Sequence, residues 1–471
     1  MPKGQANATE VIGGWPMKKK KESTTETLYH CIHRGRKLGC HASFAVDKSN
    51  GTLRVIRDHS RHEEDEVETQ MELVKSELRE NAKTSTHTSR AQYNQIRSRY
   101  SAEVIVRAGD YNSMRKIVER ARMEDPDRRS VDNECKVVGS FAITADGEPF
   151  IIHEEAMNNK KIIVFSSPKG LELLSASNVL FVDGTFDCTP TGFYQLFSFH
   201  VYLSESVVRP VAYALLPSKE LSCYEAAIKA IRINPLAANW VPKLLLCDFE
   251  INIRRAFASQ FPNIQIHACY FHLMQSWRRK ATKLNIYTDM MSGGALRPFW
   301  NLLRAIPFAE CVITEYYFQL ITNSLPANNS AKEFIAYLDK YYISGTGGNP
   351  PTFPPEIWSC AGLSENAVHR TTNAVEVWHR MLSSVVYITN GLRQVRLSDL
   401  IMKLKEEDVR TKCDADALKI NKNHQVSSCR KTSNVLKDQR LVKALKNKPT
   451  PPNLPLTGLD YLRSISLAIK P

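Results

Sequence analysis

Three carboxylates in this 471-residue chain stand where phosphate chemistry would need them. The stretch Asn178-Val179-Leu180-Phe181-Val182-Asp183-Gly184-Thr185-Phe186-Asp187 reads as a buried strand that ends on an acid. A buried, unpaired charge is costly. The same punctuation recurs at 243–248, a mostly apolar strand ending at Asp248. If the two strands are neighbours, their carboxylates lie side by side at one sheet edge, and repulsion drives one pKa up. Divalent cations resolve this. Mg²⁺ (or Mn²⁺) takes carboxylate oxygens, waters and substrate phosphates. Two such ions about 4 Å apart clamp an in-line displacement at phosphorus. A third acid fits the set. Residues 371–382 read as a helix with Val375, Trp378 and Leu382 on one apolar face; Glu376 lies off it, in line with Asn373 and Arg380. Taken singly, each acid reads as a turn or helix cap, and Asp187 and Glu250 compete with their neighbours for the role.

A second cluster has metal-ligand spacing. Cys31, Cys40, His59 and His62 form C-x8-C-x18-H-x2-H, with His30, His33 and His41 as rival ligands. Between them lie two short β-like pieces, 42–46 and 52–56, joined by the turn signal Lys48-Ser49-Asn50-Gly51. So short a module cannot bury enough apolar surface to fold alone. A tetrahedral Zn²⁺ on two thiolates and two imidazoles would supply the missing stability. Arg34, Arg36 and Lys37 sit between the cysteines, where they could reach phosphates.

The elements that must position these residues follow from periodicity. Residues 161–165, 179–186, 193–203 and 209–216 read as strands, 223–233 as a helix, 243–247 as a strand, 251–261 as a helix and 264–267 as a strand. A basic helix then runs to about residue 284. Three successive strands, then helix, strand, helix, strand, describe a mixed α/β sheet. Residues 66–135 read as a connector of about three helices. Its Arg97, Arg99, Arg115 and Arg122 either touch DNA or are simply solvated. Helical segments at 308–320 and 331–342 precede a Pro-rich return loop at 349–355, and Trp300 is either a base-stacking or a core residue.

Composition narrows the function classes. The net charge is +14, concentrated in the first 62 and last 71 residues, with a nearly neutral middle. Basic ends on a neutral body suit a polyanion, most plausibly nucleic acid, or serve solubility alone. Lys18, Lys19, Lys20 and Lys21 read as a nuclear-import signal or a solvated tail. Eleven scattered cysteines are not a secreted disulfide framework. No apolar run approaches the roughly 20 residues that span a bilayer, and the polar, lysine-rich start lacks a signal-peptide apolar region. The expectation is a soluble intracellular protein, in the nucleus, with no membrane partner.

Residues 160–385 resemble the transposase domain of Mutator-like elements (the MULE group). The matching pieces are the apolar-DGTF stretch at 180–186, LLLCDFE at 244–250, HACYFHLMQSW at 267–277 and TTNAVEVWH at 371–379, in that order. The cysteine and histidine cluster resembles FLYWCH and WRKY-type zinc fingers. It departs from FLYWCH fingers in H-x2-H for H-x-H and in Tyr29 for a tryptophan. The resemblance implies a ribonuclease-H-like fold with a helical insertion before the last acid. It also implies a D, D, E triad of Asp183, Asp248 and Glu376 that holds metal for strand nicking and for strand transfer by a DNA 3′-hydroxyl. The finger would be a β module presenting basic residues to DNA. Cys269 and His272 match a C-x2-H family motif, which puts them near the active site. There His272 either bonds a scissile phosphate or is a satisfied histidine beside a core cysteine. Arg278, Arg279 and Lys280 follow on the same helix and could track a DNA backbone.

The expected architecture is a basic tail (1–26), a finger (27–65), a helical connector (66–135), the first part of the core (136–285), a helical insertion (286–365), the last core helix (366–400) and a basic C-terminal tail (401–471). The leading reading is a DNA transposase acting on terminal inverted repeats and target DNA. A homodimer or higher oligomer is expected, because two ends must be held. The alternatives are a domesticated, transposase-derived DNA-binding transcriptional regulator with a silent centre, and a structure-selective nuclease.

Overall fold

The computed structural model resolves into two compact units, residues 1–141 with 387–393, and residues 142–386 with 394–471. The structure describes residues 9–35, 38–85, 89–157, 160–204, 207–365, 372–390, 395–422, 424, 426, 432–446 and 459–469.

In the first unit, β1 (Thr9–Ile12), β2 (Trp15–Glu22), β3 (Glu26–Cys31), β4 (Ser43–Asp47) and β5 (Leu53–Arg57) form an antiparallel sheet in that order. Residues 9–22 were expected in a basic tail; in the structure they form two strands of this five-stranded sheet. The four-lysine run lies on β2, where Lys18 pairs with His30 and Met17 with Cys31. Met17 is fully buried. Pairing with β3 satisfies the backbone, so the run needs no β propensity of its own. Gly51, with φ of 71°, makes the expected turn between β4 and β5.

The connector holds five helices, not three: α1 (Glu66–Thr84), α2 (Ser89–Arg97), α3 (Ala102–Ala108), α4 (Tyr111–Glu124) and α5 (Pro126–Glu134). Asp65 caps α1 by accepting the Glu68 N–H. Val74, Leu78 and Ala82 on α1 pack with Ile96, Val104, Met114 and Val118. Arg122 is buried and donates to the Ser85 carbonyl at 3.3 Å, so it is not a DNA contact. Arg99 pairs with Glu77 and Arg115 with Glu119.

The second unit is built on a seven-stranded mixed sheet. Its strands are β6 (Ile151–Met157), β7 (Lys160–Phe165), β8 (Val179–Thr185), β9 (Gln195–Ser204), β10 (Val207–Leu216), β11 (Leu244–Cys247) and β12 (Gln265–Ala268), in the order β12-β11-β8-β9-β10-β7-β6. β8, β9 and β10 are antiparallel; β11 is parallel to β8, and β12 to β11. β6 was not anticipated, because an edge strand carries little apolar alternation. Helices α6 (Pro168–Ala176), α7 (Leu221–Arg232) and α8 (Ile251–Gln260) cover the sheet face bearing Leu180, Val182, Phe197, Phe199 and Leu245. The alternate residues Phe181, Leu244 and Leu246 face the other way and pack with Val375. That valine belongs to α10 (Asn373–Asn390). After β12 comes α9 (Tyr270–Lys283), and the following helices, among them Arg297–Leu303, Cys311–Asn323 and Asn329–Leu338, share a separate apolar core. Trp300 is in that core, 4% exposed, which settles its role as packing.

The expectation of a basic tail from 401 is also corrected. Helix α11 (Leu397–Ile420) buries Leu400, Ile401 and Leu404 and packs on β9 and β10. Asp414 accepts from Arg209 Nε at 2.6 Å, and Asp408 accepts the Ser167 hydroxyl at 2.5 Å. Leu441, Leu445, Tyr461, Leu462 and Ile465, farther along, complete the core of the insertion. The charges of this segment line helix surfaces whose apolar stripes need long-range partners, so a charge count alone misreads them. Among the described residues, no helix is long and apolar enough to cross a membrane.

Candidate functional site

The parallel pairing of β11 with β8 sets Leu246 opposite Phe181. Two residues on, the same register brings Asp248 level with Asp183. Asp183 is 6% exposed, with Oδ1 accepting the Gly184 N–H at 2.9 Å. Asp248 sits just past the end of β11, and its Oδ1 accepts the Glu250 N–H at 2.9 Å. A Cβ at Gly184 would meet Gln195 Oε1 at 2.5 Å, so a larger residue there would have to displace the Gln195 amide.

Glu376 stands on α10, close enough to Asp183 for that charge to raise its pKa. The helix is seated by Val375, Trp378 and Leu382, all buried, as the spacing predicts. Trp378 stacks on Tyr213, meets the edge of His200, and donates its indole N–H to Glu407 at 2.9 Å. Cys269 anchors the helix start. Its buried thiol accepts the Thr372 N–H at 3.3 Å, and the Thr372 carbonyl accepts the Glu376 N–H at 2.9 Å. Cys269 thus tethers the helix start, and its thiol also groups with His272 and Glu376. Its motif partner His272 points inward, with Nε2 3.3 Å from Glu376 Oε1.

Electrostatics mark this cluster as incomplete. Burial raises the Asp248 pKa, and the neighbouring Asp183 charge raises it further. Burial also raises Glu376, again with a contribution from Asp183, while His272 opposes the shift. Burial disfavours charge on His272, yet Cys269, Asp183 and Glu376 together hold its pKa up at about 9. Glu376 Oε1 and His272 Nδ1 are buried without an aligned hydrogen bond. The group whose ligand atoms all lie within 4.8 Å of one another is Cys269, His272 and Glu376; the Asp183 and Asp248 charges act on it, and this acid-rich neighbourhood suits a divalent cation. The rival acids are otherwise engaged: Glu250 accepts from Lys219 at 2.6 Å and from the Tyr224 hydroxyl at 3.0 Å, and Asp187 is exposed.

One residue escaped the sequence reading. His379, one turn after Glu376 on the same face of α10, lies with Nδ1 3.4 Å from Asp183 Oδ2. Its signal was the i,i+3 spacing from Glu376.

Of the basic residues on α9, Arg278 and Arg279 are exposed, whereas Lys280 pairs with Glu333 at 2.8 Å. Lys280 is thus engaged within the protein.

In the first unit, Cys31, Cys40, His59 and His62 come together as one Cys2His2 group, all four ligand atoms within 4.8 Å of one another. Cys31 Sγ is 3.3 Å from His62 Nε2, Cys40 Sγ is 3.5 Å from His59 Nδ1, and the two imidazole nitrogens are 3.2 Å apart. A zinc tetrahedron with Zn–N of about 2.0 Å and Zn–S of about 2.3 Å has edges of roughly 3.3–3.8 Å. These distances fit it. Trp15 stacks on His59 at 3.7 Å, and His62 Nδ1–H donates to the Glu63 carbonyl at 3.1 Å, which leaves Nε2 free to ligate. The rivals drop out of the group: His33 pairs with Glu68 at 2.8 Å, His41 is exposed, and His30 lies along β3. Without metal, burial pushes the Cys31 thiol up to about 11. Arg34 lies in the turn after Cys31; Arg36 and Lys37 lie outside the described residues.

Residues 179–276, about a fifth of the chain, match the MULE transposase domain family. The matched segment contains Asp183, Asp248, Cys269 and His272, while Glu376 and the finger cluster fall outside it. No curated protein matches the chain. The domain match points to a Mutator-like, transposase-related function of nuclease type, with DNA as partner.

Proposed function

We propose that this chain is a DNA transposase of the Mutator-like class, cutting and joining phosphodiesters at a D, D, E centre on a ribonuclease-H-like core. What supports the reading is that Asp183 and Asp248 stand level on adjacent parallel strands, and that Glu376, on a helix much farther along the chain, lies beside His272 and feels the Asp183 charge. The strand order β12-β11-β8-β9-β10, three antiparallel strands flanked by two parallel ones, supports that core.

Asp183, Asp248 and Glu376 would hold Mg²⁺ or Mn²⁺, which supplies Lewis acidity to the attacking and leaving oxygens of an in-line displacement. The chain's own groups do the rest. His272, cationic at neutral pH, lies beside Glu376 and can donate to a phosphate oxygen. Cys269 and Trp378 hold α10 so that Glu376 stays aimed at the sheet edge. Arg278 and Arg279, exposed on α9, can contact a DNA backbone. In the first unit, the Cys2His2 group would hold Zn²⁺ and keep Arg34 on a DNA-facing module, as would suit a nuclear protein binding element ends as a dimer.

The test is nicking of supercoiled plasmid in Mg²⁺ or Mn²⁺. Wild type is expected to cut, and Asp183→Asn and Glu376→Gln to lose cutting while retaining DNA binding. Equal traces of cutting by all three would leave a DNA-binding regulator with a silent centre. Loss of binding in Glu376→Gln would make that residue structural.

A further inference from the structure

Behind Asp183 runs a line of polar side chains with no place in the scheme so far. His379 Nδ1 is 3.4 Å from Asp183 Oδ2, and on the other side of the ring His379 Nε2 is 3.0 Å from the Ser198 hydroxyl. The same hydroxyl is 2.9 Å from His200 Nε2. Ser198 and His200 stand on one face of β9, buried at 0% and 1% exposure, and His379 is 6% exposed. Polar side chains in so apolar a strand are costly unless every donor and acceptor is used.

One proton assignment joins the three side chains into a single line of donors that ends at Asp183. Burial pushes the His200 pKa well down, so its ring is neutral. Its Nε2–H donates to Ser198. A hydroxyl has one proton to give. The Asp183 carbonyl lies 3.3 Å away and His379 Nε2 only 3.0 Å, so the proton goes to the imidazole. His379 then carries its own proton on Nδ1, facing Asp183 Oδ2. The tautomer follows from the hydrogen-bond chain. We infer that His200, Ser198 and His379 form a one-way donor relay that fixes the His379 Nδ1–H tautomer and thereby orients the Asp183 carboxylate for divalent-cation binding. His379 is a positioning residue in this scheme, acting on the reacting centre through Asp183. The inference rests on the metal-centre reading proposed above.

Outer-shell partners of this kind change metal affinity by about 10–100-fold when removed. Mn²⁺ affinity of the full chain, with its finger loaded with zinc, reads the relay without any cleavage assay. His379→Ala is expected to bind Mn²⁺ about 10–100-fold more weakly than wild type. His379→Asn, whose amide can place an N–H close to Nδ1, is expected to recover most of that loss. Ser198→Ala is expected to weaken Mn²⁺ binding as well, although it touches no carboxylate side chain. Circular dichroism and zinc content should be unchanged in all three.

Unaltered Mn²⁺ affinity in His379→Ala, with Asp183→Asn still losing it, overturns the relay and leaves the centre standing. If Asp183→Asn also binds Mn²⁺ normally, the metal centre itself fails and takes the relay with it. Should His379→Ala not fold, Ser198→Ala decides alone, and wild-type affinity there overturns the inference.

Discussion

Replacing Trp378 tests whether the seating of α10 controls the proposed centre. The indole is 8% exposed, stacks on Tyr213, meets His200 edge-on and donates to Glu407. A buried indole removes about 200 Å² from water, which at about 25 cal/mol per Å² is roughly 5 kcal/mol. Measured truncations of such residues cost about 3–5 kcal/mol. That loss falls on the docking of α10, because the ring lies between this helix and the β9–β10 face. If docking rather than global folding absorbs it, the docked population falls by as much as about 10²–10³-fold, at roughly 1.4 kcal/mol per factor of ten. Glu376 follows its helix, so the nicking rate falls with it. Trp378→Phe keeps a ring against Tyr213 and loses the N–H bond to Glu407 and part of the indole's buried area, so its rate should fall clearly less than that of Trp378→Ala. The assay is the plasmid nicking rate at saturating DNA and Mn²⁺, with circular dichroism showing that the sheet remains. A Trp378→Ala variant that folds and nicks at the wild-type rate refutes the reasoning: either Glu376 is not placed by this helix or cleavage does not need it.

Three further outcomes follow from the same geometry. Chelation should collapse the finger, whose own core is little more than Met17, Tyr29, Cys31, Cys40, Ala42 and Phe44, and a strand signal unchanged after chelation would contradict a metal-held module. The folded-state pKa of His272 is raised from 6.5 to about 9, so its stabilising effect is full below pH 6.5 and is lost as pH rises through about 9. The thermal midpoint of the metal-free protein should fall across that window, and His272→Gln should flatten the fall; an equal fall in both proteins would reject the assignment. Asp414→Ala removes the carboxylate that accepts from Arg209 Nε while the Val208 carbonyl still accepts from Arg209, and should cost about 1–3 kcal/mol. Urea unfolding followed in the second unit measures it, and an unchanged midpoint would mean that α11 does not clamp β10.

Local pattern was enough to read the three antiparallel strands and the helix–strand alternation after them; Asp248 does follow the end of its strand, whereas Asp183 lies within β8, which runs on to Thr185. Periodicity and residue type are properties of short windows, and DGTF and LLLCDFE carry them openly. That Cys31, Cys40, His59 and His62 come together was legible for the same reason, because their spacing is a local statement. What no window holds is the partner of a half-satisfied segment. Residues 9–22 look like a basic tail until β3 supplies their hydrogen bonds. The segment from 401 onward looks basic until its apolar stripes meet β9, β10 and the insertion core. Ser198 and His379 are 181 positions apart, and Ser167 and Asp408 are 241 apart. Contacts across such separations are settled by the packing of the whole chain, because burying a polar group is favourable only once its distant partner is in place. The sequence named the carboxylates; tertiary packing decided where each lies and what stands behind it.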